Sequence, residues 1–263
     1  MQFNIPSVEG LPIRGDLVVP DRARALVVIV HGFKGFKDWG FFPWLADHFA
    51  RHRLAVCRFN MSRSGIGENA ETFERLDLFA DDTYSTQIAD LHAAVHFAQS
   101  HAPNLPTFLL GHSRGGGVSL LAARHVPQLH GVVTWSAISR VDRWDEFTVR
   151  EWRAKGYRDE LNSRTKQLMR MSPKVLDDYE QHRFNVLDAA AKLDVPLLVL
   201  HGARDESVPV AEAHAITSHA HEASLCVIEK ASHTYNAIHP LIHVPFALTL
   251  AAAVSTHFVC AYA

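Results

Sequence analysis

The stretch Leu109-Leu110-Gly111-His112-Ser113-Arg114-Gly115-Gly116-Gly117 constrains this chain more than any other. An apolar run, Thr107 to Leu110, enters it, and a small-residue helix is expected to leave it from about Gly115 to Arg124. Between them stands G-x-S-x-G, with Ser113 at the tip of a strand-to-helix turn. A serine there must take a strained backbone conformation for its hydroxyl to stand clear of the sheet. Side chains at Gly111 or Gly115 would collide across so tight a turn. Five letters alone would also fit a glycine-rich turn of no chemical meaning. The strand before and the helix after make Ser113 a candidate nucleophile at an elbow.

Around this turn, apolar runs alternate with amphipathic ones. Residues 2–19 read as an opening β-hairpin about Gly10-Leu11-Pro12. Ala25–Val30, Leu54–Phe59, Thr107–Leu110, Gly131–Trp135, Pro196–Leu200 and Leu225–Ile228 read as strands, most of them continuously apolar as buried parallel strands are. Helices are expected from Pro43 to His52, Thr83 to Gln99 and near Ala211 to Ser218, with an apolar helix closing the chain. Such alternation means an α/β fold with a mostly parallel sheet covered on both faces. Two stretches depart from it. Asn60 to Asp82 is long, polar and glycine-containing, a rim or surface loop over the sheet top. Residues 138–190 carry alternating charges, tryptophans and helical spacing, and read as an inserted cap of short helices within a single domain spanning 1–263.

A serine hydroxyl needs a base, and the base needs an orienting group. In folds of this kind the order along the chain is nucleophile, acid, histidine. Past the strand at 196–200 comes His201-Gly202-Ala203-Arg204-Asp205, and past the last strand comes Ala231-Ser232-His233-Thr234. Both lie at carboxyl ends of parallel strands, where loops converge. His233 is therefore the candidate general base and acid, and Asp205 the residue that orients it. Glu206, adjacent, and Asp142, after the preceding strand, are rivals for the acid. Two backbone N–H donors must face the developing oxyanion. They are expected from Arg114, at the start of the nucleophile helix, and from Phe33, after His31-Gly32. The side chain of Arg114 receives no role and is expected at the surface. Trp144, Trp152 and Tyr157 are candidates for shaping a substrate pocket, although large rings are more often core.

Composition excludes several partners. A net charge of −2, from 26 basic and 28 acidic residues, offers no basic surface for nucleic acid. Eighteen histidines are scattered without metal-ligand spacing, so no metal is expected. Cys57 and Cys226 lie in strand-like runs and read as buried free thiols. No basic-then-apolar leader is visible at Met1–Pro6. The apolar run Ile242–Val259 is interrupted by His243, Pro245, Thr249, Ser255 and His257, and reads as a buried helix rather than a membrane span. A cytoplasmic protein with no membrane partner is expected. Its oligomeric state stays open, a homodimer included.

With these pieces placed, the chain resembles the α/β-hydrolase superfamily over nearly its full length, in the neighbourhood of dienelactone hydrolases, prolyl oligopeptidases and feruloyl esterases. The resemblance is carried by His31-Gly32-Phe33-Lys34-Gly35-Phe36-Lys37-Asp38-Trp39-Gly40 and by Gly111-His112-Ser113-Arg114-Gly115-Gly116. Pro196-Leu197-Leu198-Val199-Leu200-His201-Gly202 with Asp205, and His233-Thr234-Tyr235-Asn236, complete it. It implies a cofactor-free Ser-His-Asp hydrolase of the carboxylic-ester type with a modest cap, acting on a small-molecule ester. Dienelactone hydrolases usually carry a cysteine nucleophile where this chain has Ser113, which counts against a dienelactone substrate. Thioesters and small acyl-peptides remain open with the same triad, as does a catalytically silent protein of this fold, since fold alone never proves activity.

Overall fold

Alternation of apolar side chains to both faces of each strand builds two cores at once. The computed structural model describes residues 1–69, 72–162 and 164–263. β1 (Gln2–Pro6) and β2 (Pro12–Val18) form the opening antiparallel hairpin, followed by β3 (Ala25–Val30), α1 (Phe42–Arg51) and β4 (Leu54–Phe59). A four-residue helix, α2 (Leu76–Phe79), precedes α3 (Tyr84–His101), whose N-terminus Thr83 caps through a reciprocal pair with Thr86. Then come β5 (Thr107–His112), α4 (Arg114–Ala123) and β6 (Leu129–Trp135). The chain leaves the sheet through α5 (Glu146–Lys155), β7 (Arg158–Leu161), β8 (Leu168–Met171), α6 (Lys174–His182) and α7 (Val186–Ala191). It re-enters at β9 (Leu197–Gly202) and ends with α8 (Val210–His219), β10 (Ala223–Ile228) and α9 (Phe246–Tyr262).

The eight sheet strands run in the order β1-β2-β4-β3-β5-β6-β9-β10. All pairings from β4 to β10 are parallel, and only the β1–β2 and β2–β4 pairs are antiparallel. β3 shows why both faces are covered. Leu26, Val28 and Val30 enter one core with α3, α4, α7 and α8, while Ala25, Val27 and Ile29 enter the other with α1 and α9. Every residue of β3, β5 and β9 is buried. The parallel direction puts the loops after β3, β5, β9 and β10 at one edge of the sheet.

A third apolar cluster lies over that edge. It joins Phe36, Ile66, Phe73 and Phe79 to Trp152, Met169, Met171, Val175 and Leu176 from the excursion between β6 and β9. The stretch 60–82 is thus more than a loop: it holds α2 and an antiparallel bridge between Ile66 and Phe73. Residues 70 and 71 of it, and residue 163 of the excursion, lie outside the described residues. Nor is the excursion all helical. β7 and β8 pair as an antiparallel ribbon, with Arg170 bonded across it to Asp159 at 2.9 Å.

Cys57 is buried in β4, whereas Cys226, expected buried, is half-buried on edge strand β10; both are free thiols. The apolar C-terminal run is α9, packed on the second core. Among the described residues no helix is long and apolar enough to cross a membrane.

Candidate active site

At the end of β5 the chain turns so sharply that Ser113 stands at φ 57°, ψ −122° and α4 begins at the next residue. A non-glycine residue in that region costs on the order of 1–3 kcal/mol, which the surrounding bonds must hold. Ser113 N donates to Trp135 O at 2.8 Å, and Ser113 O accepts from Gly116 N at 3.0 Å. A Cβ on Gly111 would lie 2.2 Å from Gly115 O, and one on Gly115 would lie 2.3 Å from Val30 O. The turn closes only because neither has one.

The loop after β3 lies against this elbow. A Cβ on Gly32 would come within 2.9 Å of the Ser113 Cβ. Phe33 follows, and its ring and Ser113 line the same space. The loop is pinned from behind by His31, which is buried and accepts at Nε2 from Met61 N at 3.2 Å. Its Nδ1, then protonated, sits 2.9 Å from Gly32 O. Burial holds the His31 pKa down to about 4, so the ring stays neutral.

The loops after β9 and β10 bring the other two residues together. Arg204 N donates to Ala231 O at 2.9 Å, locking one loop to the other. Asp205, its side chain wholly buried, lies 2.8 and 3.0 Å through its two oxygens from His233 Nδ1. Asp205 Oδ1 also accepts from Ser207 N and Val208 N, at 2.9 and 2.8 Å. Burial disfavours this carboxylate, but hydrogen bonds from His201 and His233, the His233 charge and the Val208 amide outweigh it. They hold Asp205 well below the usual carboxylate range. An ionised acceptor at Nδ1 leaves His233 Nε2 free to take a proton. Of the rivals, Glu206 is exposed, and Asp142 is exposed and paired with Arg140. Ser113 and His233 line one cavity of about 420 Å³, without a hydrogen bond between them among the described residues.

Two histidines that sequence reasoning left without a role hold this pair in place. His201 Nε2 faces Val208 O at 2.8 Å, so it carries the hydrogen, and the same atom lies 3.3 Å from Asp205 Oδ2. His112, the x of G-x-S, is buried with Nε2 2.9 Å from His233 O. Only their positions, one just before the serine and one four before the aspartate, hinted at this. The His233 turn is further stapled by Asn236, whose Oδ1 accepts from Ser232 N at 3.0 Å. Tyr235 anchors it from below, its hydroxyl donating to Leu200 O at 3.1 Å.

The Arg114 side chain is not at the surface. It is 7% exposed, with its guanidinium carbon 4.0 Å from the Phe33 ring centroid and 5.1 Å from that of Tyr84. The nearest carboxylate oxygen, Asp82 Oδ2, is 3.8 Å away. Stacking on two rings draws the chain inward, a contact that depends on residues 30 and 81 positions upstream.

The three aromatic candidates separate. Trp144 lines a second cavity, about 140 Å³, which also contacts Phe33, Ser113 and Arg114. Trp152 is core: it is 1% exposed, its Nε1 donates to Met171 O at 3.1 Å, and Trp144 packs edge-on against it. Tyr157 stacks under Arg170 on the ribbon and faces a different cavity that does not include Ser113. Neither Trp152 nor Tyr157 reaches the site. Trp39 and Phe42, which line the larger cavity, were not singled out. Among the described residues no group of three or more His, Cys, Asp or Glu is placed to hold a metal ion.

Comparison with known proteins adds a family to this geometry. A hydrolase family model described as serine aminopeptidase, S33, matches residues 21–184. Monoglyceride lipase of Rattus norvegicus is 30% identical over 104 residues, 40% of this chain and 31% of that protein. The 2,6-dihydropseudooxynicotine hydrolase of Paenarthrobacter nicotinovorans is 25% identical over 208 residues, 76% of this chain and 50% of that one. The chain thus spans half or less of the length of the curated relatives it matches. Est1E of Butyrivibrio proteoclasticus superposes with a TM-score of 0.73 at 18% identity, covering 99% of this chain and 98% of its own. That likeness establishes the α/β-hydrolase fold.

Proposed function

We propose, from the premise that this chain belongs to the α/β-hydrolase family described as serine aminopeptidase, S33, that it is a serine hydrolase of carboxylic esters. One observation carries the reading. Ser113 and His233 open into one cavity, and His233 Nδ1 is held 2.8 Å from a buried, ionised Asp205.

Ser113 Oγ attacks the ester carbonyl as His233 Nε2 takes its proton, and Asp205 stabilises the imidazolium that forms. The N–H groups of Phe33 and Arg114 stabilise the tetrahedral oxyanion, the second reinforced by the start of α4. His233 then returns the proton to the leaving alcohol, an acyl-enzyme remains on Ser113, and water activated by His233 releases the acid. Residues 138–190 act as a cap whose Trp144 side closes over the acyl group. The protein acts on a small molecule, without a cofactor, in the cytoplasm.

The family description raises amide bonds of peptides with a free amino terminus as a second reading. The charged residues lining the two cavities beside Ser113 are Lys34, Arg164, Arg114 and Arg143, with no carboxylate among the described residues. A protonated α-amine would find no counter-ion there, which favours esters. The test is hydrolysis of p-nitrophenyl esters of increasing chain length by wild type and Ser113→Ala. Turnover by wild type and its loss in the variant is the expected result. Equal turnover by both would remove Ser113 as nucleophile.

A further inference from the structure

The two cavities that meet at Ser113 differ in a way that assigns the halves of the substrate. His233 lines the larger one and is absent from the residues lining the smaller. The leaving alcohol must be within reach of the imidazole that protonates it. The alcohol therefore occupies the larger cavity, and the acyl chain projects into the smaller.

The smaller cavity is mostly apolar, walled by Ile138, Val141, Val208 and Trp144. Into this wall the fold inserts the Arg114 guanidinium, more than nine-tenths buried. Two rings lie against it, Phe33 and Tyr84, and both line the cavity as well. Among the described residues it donates no hydrogen bond. Asp82, at 3.8 Å, stands beyond hydrogen-bond reach, and its Oδ2 already accepts from Gln87 Nε2 at 2.6 Å. Arg143, the other cation there, is by contrast engaged by Glu212 at 2.7 Å. A guanidinium held only by a long ion pair to Asp82 keeps donors free for a further acceptor. A planar guanidinium matches a carboxylate through two parallel bonds.

We propose that the acyl half of the substrate ends in a carboxylate bound by Arg114, so that the enzyme hydrolyses half-esters of short dicarboxylic acids. Size sets the chain length. A cavity of about 140 Å³ holds roughly five non-hydrogen atoms at about 30 Å³ for each water-sized group. Two methylenes and a carboxylate fill it, which is the succinyl group. The alcohol is larger and at least partly aromatic, since Trp39 and Phe42 line its side. The overall step is hydrolysis: ester C–O cleavage releases the alcohol with its proton from His233, and water supplies the new acid oxygen. This inference rests on the serine-esterase reading.

The experiment compares benzyl hydrogen succinate with benzyl isocaproate, in which an isopropyl group replaces the carboxylate at equal size. Benzyl alcohol release gives kcat/KM for each. Wild type is expected to favour the half-ester by roughly 10- to 100-fold, the range of a charge-assisted hydrogen bond. In Arg114→Gln that ratio should fall to about one or below, and Arg114→Lys, which keeps the charge, should restore part of it. A wild-type enzyme indifferent to the carboxylate, or an Arg114→Gln enzyme with an unchanged ratio, overturns the proposal while leaving the esterase reading intact. Failure of both esters to turn over in a Ser113-dependent way strikes the esterase reading instead. Calorimetry with succinate then decides the anion site separately: binding to wild type that is lost in Arg114→Gln supports it, and no binding to wild type removes it.

Discussion

His112 Nε2 lies 2.9 Å from the backbone carbonyl oxygen of His233. A carbonyl only accepts, so Nε2 carries the hydrogen, and the residue before the nucleophile fixes the backbone of the residue proposed as its base. Burial, with the His233 charge a lesser cause, keeps His112 neutral by lowering its pKa to about 3.

Removing this bond should loosen His233, and His112 also lines the larger cavity. His112→Ala is expected to lower kcat/KM roughly 10-fold or more, with most of the loss in kcat, as misplacement of a catalytic group does. The sign of its pH effect follows from the folded pKa lying below the unfolded 6.5. The unfolded chain binds the proton first, so the stability His112 contributes is present above pH 6.5 and is lost as pH falls toward about 3. Denaturant titrations across that window should show a shallower loss in His112→Gln than in wild type.

Asp205 makes a sharper prediction. Asp205→Asn keeps the shape but presents the wrong partner to His233 Nδ1, and kcat should fall roughly 10³–10⁴-fold. The depressed folded pKa of Asp205 means its stabilisation is present above the ordinary carboxylate value near 4 and is lost as pH falls below it. Acid-unfolding curves should therefore be flatter in the variant below about pH 4.

Gly32→Ala tests the approach of the β3 loop to the elbow. Its Cβ would meet Ser113 Cβ at 2.9 Å and His112 O at 3.0 Å, both rigid. The loop must retreat and take the Phe33 N–H with it. We expect a 10- to 100-fold loss in kcat, roughly that of weakening one oxyanion donor, with the folded circular-dichroism spectrum retained.

Asp82 is the counterpart with opposite sign. It is buried, its Oδ1 has no hydrogen-bond partner, and burial raises its pKa to about 7 against the pull of Arg114 and Gln87. Its folded pKa exceeds the unfolded one. The protonated form is thus favoured in the fold, and stability is lost as pH rises from about 4 to about 7. The stability of Asp82→Asn relative to wild type should increase across that interval and level off above it, measured by chemical denaturation at a series of pH values.

What the chain's letters reveal and what they hide divides along physical lines. The strands Ala25–Val30 and Leu54–Phe59 appear where apolar runs place them, because strands buried on both faces are mostly apolar, with only Arg58 polar among these residues. Ser113, Asp205 and His233 are legible because strand ends and chain order locate them, and the structure brings Asp205 and His233 into contact. The ribbon Arg158–Leu161 with Leu168–Met171 is hidden: Arg-Asp-Glu-Leu has no apolar alternation, and cross-strand pairs such as Arg170 with Asp159 exist only once it forms. Trp152 and Tyr157 could not be sorted from Trp144, since all three are aromatic residues in one excursion and only the third cluster decides which is core. The Arg114 side chain was hidden for a similar reason. An arginine beside an exposed elbow reads as surface, and its two rings come from distant positions.

The most direct test of the account is intact-protein mass spectrometry after brief exposure to a p-nitrophenyl ester, with peptide mapping of any adduct. An acyl group on Ser113 in wild type, absent in Ser113→Ala and accumulating in His233→Ala only slowly, is the result predicted. An acyl group on another residue, or undiminished ester turnover by Ser113→Ala, would contradict it.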